Sequence, residues 1–398
     1  MVEQSTDEGG ETRLAAAEGL RGLAIAFVLA VHSEGLVGDL LPRSGVSLAR
    51  AFSLGGHTGV SLFFVLSAFL LSRPFLAENM GGRRVDRRRY LTARALRIYP
   101  LYVPAVLLAA LARADQAGDL LRAIPYLLFL NGVPTWVTPL LPYSGAWWSL
   151  AIEVQFYLAL PLLMDFTRRR LLAGVLLGLV GGLSTCLSLG WIAFTDPVAQ
   201  FTAAHSLLGR APLFAWGILA AWIYDRHGPA LRAIVARHAV AGRVVAEILI
   251  AASVLVLALL LQWFVAAPYL EREVVEWPAW HVVEGGLWAV VLLVALLART
   301  FVGRLLESEP AQFLGRISYP LFLIHTAVMI SGAGWIRSHV SAPLLGWSVG
   351  SAAMVALLLG AAVAIATLVH VTIERPALRF KSRVNARSAR RARLRVAA

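Results

Sequence analysis

The sequence predicts an all-α, polytopic membrane protein, with about ten transmembrane helices gathered in one bundle. Three observations predict it. Of the 398 residues, 59% are hydrophobic and only 15% are charged, whereas soluble domains carry about 25% charged residues. Apolar runs long enough to cross hydrocarbon recur along the whole chain. The connections between these runs alternate between arginine-rich and arginine-poor, as the positive-inside rule requires of a polytopic protein.

The first run, 20–37, contains an apolar core at 23–31 that fits a signal peptide in length. No small-x-small cleavage site follows it, and its removal would break the charge alternation, so it reads as the first helix. The second run, 56–77, is followed by the arginine-rich "GGRRVDRRRY". The third, 95–113, has an irregular start marked by Pro100 and Pro104. The stretch at 120–131, "LLRAIPYLLFLN", is too short to span and reads as re-entrant or interfacial. The fourth run is 146–165, followed by "FTRRR". The fifth, 171–193, holds the single cysteine, Cys186, which excludes an intrachain disulfide and a cysteine-based zinc site. The remaining runs are 203–224, 244–267, 281–303, 316–335 and 344–371. Arginine-rich connections at 78–94, 166–170, 225–243 and 299–316 place both termini in the cytoplasm, and an even number of helices agrees. The predicted organisation is a cytoplasmic N-terminal segment (1–19), one transmembrane domain (20–374) and a basic cytoplasmic tail (375–398).

The net charge of +13 raises the question of nucleic acid. The charge sits at membrane-flanking positions, where topology and anionic lipid headgroups account for it, so no nucleic-acid partner is expected. No internal repeat of the kind that marks many transporters is visible.

Ionisable groups inside such runs are costly and face a bundle interior or a water-filled cavity. Arg21 and His32 are eleven residues apart, which is about 20° past three full turns and about 16 Å of rise. They therefore share one face of the first helix. Alone, His32 fits a histidine bonded to a backbone carbonyl, and Arg21 a snorkelling flank residue. Glu153 lies inside the fourth run, in "WWSLAIEVQFYLALPLL", with Trp148, Ser149, Gln155 and Tyr157 around it. Ser149 and Glu153 are four apart and share a face, as do Glu153 and Tyr157. A structural ion pair is the plain reading of this glutamate, a reacting or orienting carboxylate the functional one. Arg94 and Arg97, three apart, have the spacing to grip a phosphate jointly or to anchor topology. His57 opens the second run, and His205, His325 and His370 read as isolated packing histidines. No HExxH, phosphate-binding loop or GxSxG elbow occurs, and the histidines lack metal-ligand spacing.

The stretches "EGLRGLAIAFVLAVH", "GVSLFFVLSAFLLSRPF", "YLTARALRIYPLYV", "WWSLAIEVQFYLALPLL", "GRISYPLFLIHTAV" and "IERPALRF" together resemble the acyltransferase-3 family of multi-pass membrane O-acyltransferases, in the family's order and over nearly the whole chain. The resemblance implies that 20–374 is an acyltransferase domain of the cell membrane. It implies transfer of an acyl group, usually acetyl, from cytoplasmic acyl-CoA as co-substrate, with no bound cofactor. The acceptor is then a hydroxyl of a sugar, glycolipid, cell-envelope glycan or small molecule. It implies His32 as the catalytic histidine, Arg21 as its partner in the Arg-x10-His pattern, Arg94 and Arg97 as the CoA-associated R-x-x-R, and Glu153 as the family's acid, with Trp148, Ser149 and Tyr157 as further candidates. Two departures stand out. Glu18 replaces the frequent Asp before Gly-Leu-Arg-Gly, and Ala68 replaces the usual Gly of the second helix, where a methyl narrows close backbone approach. The alternative class is a transporter or flippase of an acylated lipid or sugar, with the same polar residues lining its path. A third reading has the buried charges merely pairing helices.

Overall fold

A computed structural model describes residues 5–37, 48–115, 117–131, 140, 143–166, 174–175, 178, 205–266, 278–339 and 347–379. Among them there is helix and no strand. The predicted span 171–193, with Cys186, and the tail beyond 379 lie outside the described residues, apart from three positions in the former.

Thirteen helices organise the described chain. They are α1 (Ser5–Val37), α2 (Leu48–Leu54), α3 (Thr58–Asn79), α4 (Arg87–Ala112), α5 (Ala123–Leu127), α6 (Trp148–Phe166), α7 (Ala211–Arg237), α8 (Ala239–Ala266), α9 (Pro278–Leu297), α10 (Phe301–Leu306), α11 (Glu309–Arg316), α12 (Ser318–His339) and α13 (Trp347–Val369). Eight contain segments long and apolar enough to cross a membrane: α1, α3, α4, α6, α8, α9, α12 and α13. The chain is therefore an all-α, multi-pass membrane protein.

Two predicted spans are reshaped, each for a local reason. The span 203–224 starts only at Ala211, with Pro212 in the first turn, where its missing N–H costs nothing. Its apolar stretch then ends at Asp225, after about 21 Å of rise, short of the roughly 30 Å of hydrocarbon. Asp225 is held by Arg73 of α3 at 2.9 Å. The span 281–303 is cut at Leu297, because the Thr300 hydroxyl accepts from the Gly303 N–H at 3.0 Å and begins α10. The stretch 120–131 forms a 3-10 turn and the five-residue α5, too short to span, as expected. It ends at Phe129, whose φ of 55° is left-handed backbone that a bulky side chain rarely adopts. Stacking on Tyr102, with ring centroids 4.8 Å apart, holds it there.

The bundle interior is a main apolar cluster drawn chiefly from α1, α3, α4, α6, α7, α9 and α12, with a smaller one between α2, α8 and α9. Its tightest approach lies in the middle of α1, against α10 and α11. A Cβ on Gly19 would sit 1.9 Å from the Leu306 carbonyl oxygen, and one on Gly22 2.1 Å from that of Ala311. The two glycines of Gly-Leu-Arg-Gly let the backbones touch, and so set the depth at which Arg21 enters the bundle. Ala68 is fully buried and faces Gly217 of α7, so the departure from glycine on α3 is absorbed by a glycine opposite. At the other end of α3, Arg87 bonds both Glu78 and Asp165, fastening α4 to the ends of α3 and α6. Past α13 a π-helical turn, His370–Glu374, carries a bond from the His370 ring to Glu374 at 2.7 Å.

Candidate active site

Side chains from α1, α3, α4, α6 and the start of α12 meet in a cavity of about 90 Å³ inside the bundle. Arg21 comes from the second half of the Gly-Leu-Arg-Gly turn. Arg94 and Arg97 come from the second and third turns of α4, whose start is set by Asp86, with its carboxylate accepting from the Arg89 N–H at 3.0 Å. Ser149, Glu153 and Tyr157 come from one face of α6, and Ser67 and Ser318 complete the polar lining.

Glu153 accepts hydrogen bonds from the Ser67 hydroxyl and from the Tyr157 hydroxyl at 2.6 Å. The i, i+4 pairing of Glu153 and Tyr157 is thus realised as a bond. Arg21 donates to the Ser318 hydroxyl at 3.2 Å and lies 3.9 Å from Glu18. The Arg94 guanidinium lies 6.0 Å from the centroids of both the Tyr90 and Tyr157 rings, and its buried Nε has no partner. Three guanidiniums therefore face one carboxylate, and a donor on one of them is unused. Such an enclosure favours a polyanion or a developing negative charge.

His32 is not part of this lining. It sits further along α1, where its Nδ1 donates to the Val28 carbonyl at 2.7 Å. The backbone bond expected of a packing histidine is present, and it leaves Nε2 as the basic nitrogen. Glu153 is engaged by Ser67 and Tyr157, and no contact between it and His32 is found. Instead the His32 ring meets His325 of α12 edge to face, with centroids 4.7 Å apart. Phe322, one turn before His325, lines the arginine cavity and lies 5.9 Å from the His325 ring. The arginine cavity and the histidine pair are thus neighbouring compartments joined at Phe322.

Sequence reasoning treated His325 as an isolated packing residue, because nothing in the chain order sets α12 beside α1. The one available signal was a lone histidine in an apolar span whose only local partners are backbone carbonyls. Trp148, a candidate by its motif, points away from the cavity. It packs on His205 at 4.4 Å and under the Arg210 guanidinium at 5.1 Å. Arg210 donates to His281 at 2.7 Å, and His281 donates to Glu284 at 3.2 Å, all three being buried. Trp147 instead ties α6 to α12 by donating to the Leu323 carbonyl at 2.9 Å. Among the described residues, no cluster of three His, Cys, Asp or Glu side chains is arranged for a metal ion.

A larger space of about 440 Å³ lies between α4, α5 and α6, lined mainly by leucines and aromatics. Arg94, Ile98 and Tyr157 line both spaces and form the boundary between them.

Residues 14–371 match the family model described as an acyltransferase domain, named Acyl_transf_3. The chain is 28% identical to the membrane-bound transacylase BcsY of Komagataeibacter xylinus over 92% of this chain and 83% of that protein. It is 27% identical to the acyltransferase MdmB of Streptomyces mycarofaciens over 93% of both. It is 25% identical to the peptidoglycan O-acetyltransferase OatA of Listeria monocytogenes over 78% of this chain, but over only 49% of that longer protein. No solved structure matches the chain. A family match over most of the length, on a multi-pass helical bundle with a polar cavity, leads to one conclusion: the chain belongs to the acyltransferase-3 family and is a membrane acyltransferase.

Proposed function

We propose that the protein moves an acyl group from cytoplasmic acyl-CoA to a hydroxyl of a sugar, glycolipid, cell-envelope glycan or small molecule. The observation that carries this reading is the convergence of Arg21, Arg94 and Arg97 on one cavity inside the helical bundle. Their excess positive charge suits the phosphates of CoA. The names of the relatives, a peptidoglycan O-acetyltransferase among them, support a hydroxyl acceptor on a glycan.

In the proposed reaction His32 Nε2 removes the proton of the acceptor hydroxyl as its oxygen attacks the thioester carbonyl. The C–O bond forms, the C–S bond breaks, and the proton passes from His32 to the departing CoA thiolate. General-base help of this kind is worth roughly 10²–10⁴ in rate. The Nδ1–Val28 bond holds the tautomer that this step needs. Glu153, fixed by Ser67 and Tyr157, balances the arginine charge and keeps the cavity from being wholly cationic.

The orientation proposed is a cell-membrane protein with both termini and the arginine-rich ends in the cytoplasm. Glu78, Arg87 and Asp165 join the ends of α3, α4 and α6 on one side of the bundle. The basic tail from 375 would then meet anionic headgroups on that side.

The test is incubation of purified, lipid-reconstituted protein with labelled acetyl-CoA and acceptor-bearing envelope material. Label transfer or CoA release supports the reading, and a thioester left intact overturns it. Mass spectrometry of envelope glycans and secreted metabolites, with and without the gene, identifies the acceptor.

A further inference from the structure

The histidine on α12 is built as a partner rather than as filler. His325 is fully buried. Its Nδ1 lies 2.8 Å from the Phe322 carbonyl and 3.2 Å from that of Leu321. Carbonyls only accept, so Nδ1 carries the proton and Nε2 holds a lone pair. That Nε2 is buried without a hydrogen-bond partner. Leaving a buried acceptor unsatisfied costs stability, whereas an apolar residue would fill the place at no such cost. The aromatic group set against it is His32, itself tied through Nδ1 to its own helix. The two rings meet at 77° with centroids 4.7 Å apart. Each imidazole is thus locked in the same tautomer by a carbonyl of its own helix, with its basic nitrogen unused.

We propose that His325 is a positioning residue for His32, one that stabilises the positive charge His32 acquires during transfer. The inference rests on the reading of His32 as the general base. In that step Nε2 of His32 gains a proton, and the ring becomes a cation while Nδ1 stays bound to Val28. The neutral His325 ring, with Nε2 unprotonated, is a fixed dipole packed against that cation, organised before the reaction begins. Such preorganised dipoles act most strongly where water is excluded. His325 need not touch the acceptor or the donor, and no bond to it forms or breaks.

The test compares His325→Phe and His325→Gln. Phenylalanine keeps an aromatic ring at the contact but has no lone pair. Glutamine gives up the ring and keeps an acceptor oxygen near the position of Nε2. The first readout needs no substrate: the rate at which diethyl pyrocarbonate carbethoxylates His32, followed by peptide mass spectrometry. That reaction also places positive charge on the His32 ring. The second is steady-state kinetics with acyl-CoA. In His325→Phe the carbethoxylation rate and kcat should both fall about ten-fold with KM for the donor unchanged, the low end for a hydrogen bond to a charged group. In His325→Gln both should return to within a few-fold of the parent. Equal rates in the phenylalanine variant and the parent would overturn the proposal, as would equal losses in both variants. Normal carbethoxylation differences without any acyl transfer by the parent would retain the histidine pair and remove the acyl-transfer reading.

Discussion

The proposed base His32 and the acid Glu153 sit in different compartments. His32→Gln keeps hydrogen bonding and approximate bulk but cannot accept a proton at neutral pH. Acyl transfer by this variant should fall at least about 10²-fold at normal expression; substantial transfer would move suspicion to Glu153, already braced by Ser67 and Tyr157. The arginines are tested separately. Arg94→Ala together with Arg97→Ala removes the two charge-assisted contacts proposed for the donor, so the apparent KM for acyl-CoA should rise with a smaller change in kcat. Unchanged donor binding would reduce the pair to a topology anchor. The unpartnered Nε of Arg94 makes it the stronger of the two, and the single variants should rank accordingly.

At the level of helices, close packing decides where these side chains stand. Gly22→Ala would push a methyl to 2.1 Å from the Ala311 carbonyl oxygen, which is backbone and cannot swing aside. The expected cost is about 1–3 kcal/mol, typical of overpacking, seen as a lower midpoint in thermal unfolding, together with lost activity as Arg21 shifts; a midpoint equal to the parent would show that α11 yields freely. The same elements show what was legible in the sequence. Arg21, Arg94, Arg97, Ser149, Glu153 and Tyr157 share a cavity, and their periodicity within each helix was readable because 3.6-residue spacing fixes a face. Distances between helices were not readable. The contact of His325 with His32 is unreadable for that reason, as is the packing of Trp148 against Arg210 and His205. Span boundaries differ where a local event overrides hydropathy: the Thr300 cap ends α9 early, and α7 starts only at Ala211, with Pro212 in its first turn.

Across the whole molecule, the arginine distribution is the basis of the proposed orientation. A reporter active only in the cytoplasm, fused at Ala398, should be active, and one active only outside should be silent; the reverse would invert the proposed orientation. The eleven residues from Arg21 to His32 have a consequence of a different kind. In the proposed reaction they are a ruler of about 16 Å between the place where a donor would be gripped and the place where it would react. A donor must be long enough to be held at one mark while its carbonyl reaches the other. Stripped-down thioesters such as S-acetyl-N-acetylcysteamine have the same reactive bond but neither the phosphates nor the full arm. They should be poor donors, with kcat/KM lower by at least about 10²-fold, as expected when two contacts to charged groups are lost. Pantetheine thioesters, with the arm restored and the nucleotide still missing, should recover part of that loss, and equal use of all three donors would mean that the spacing measures nothing.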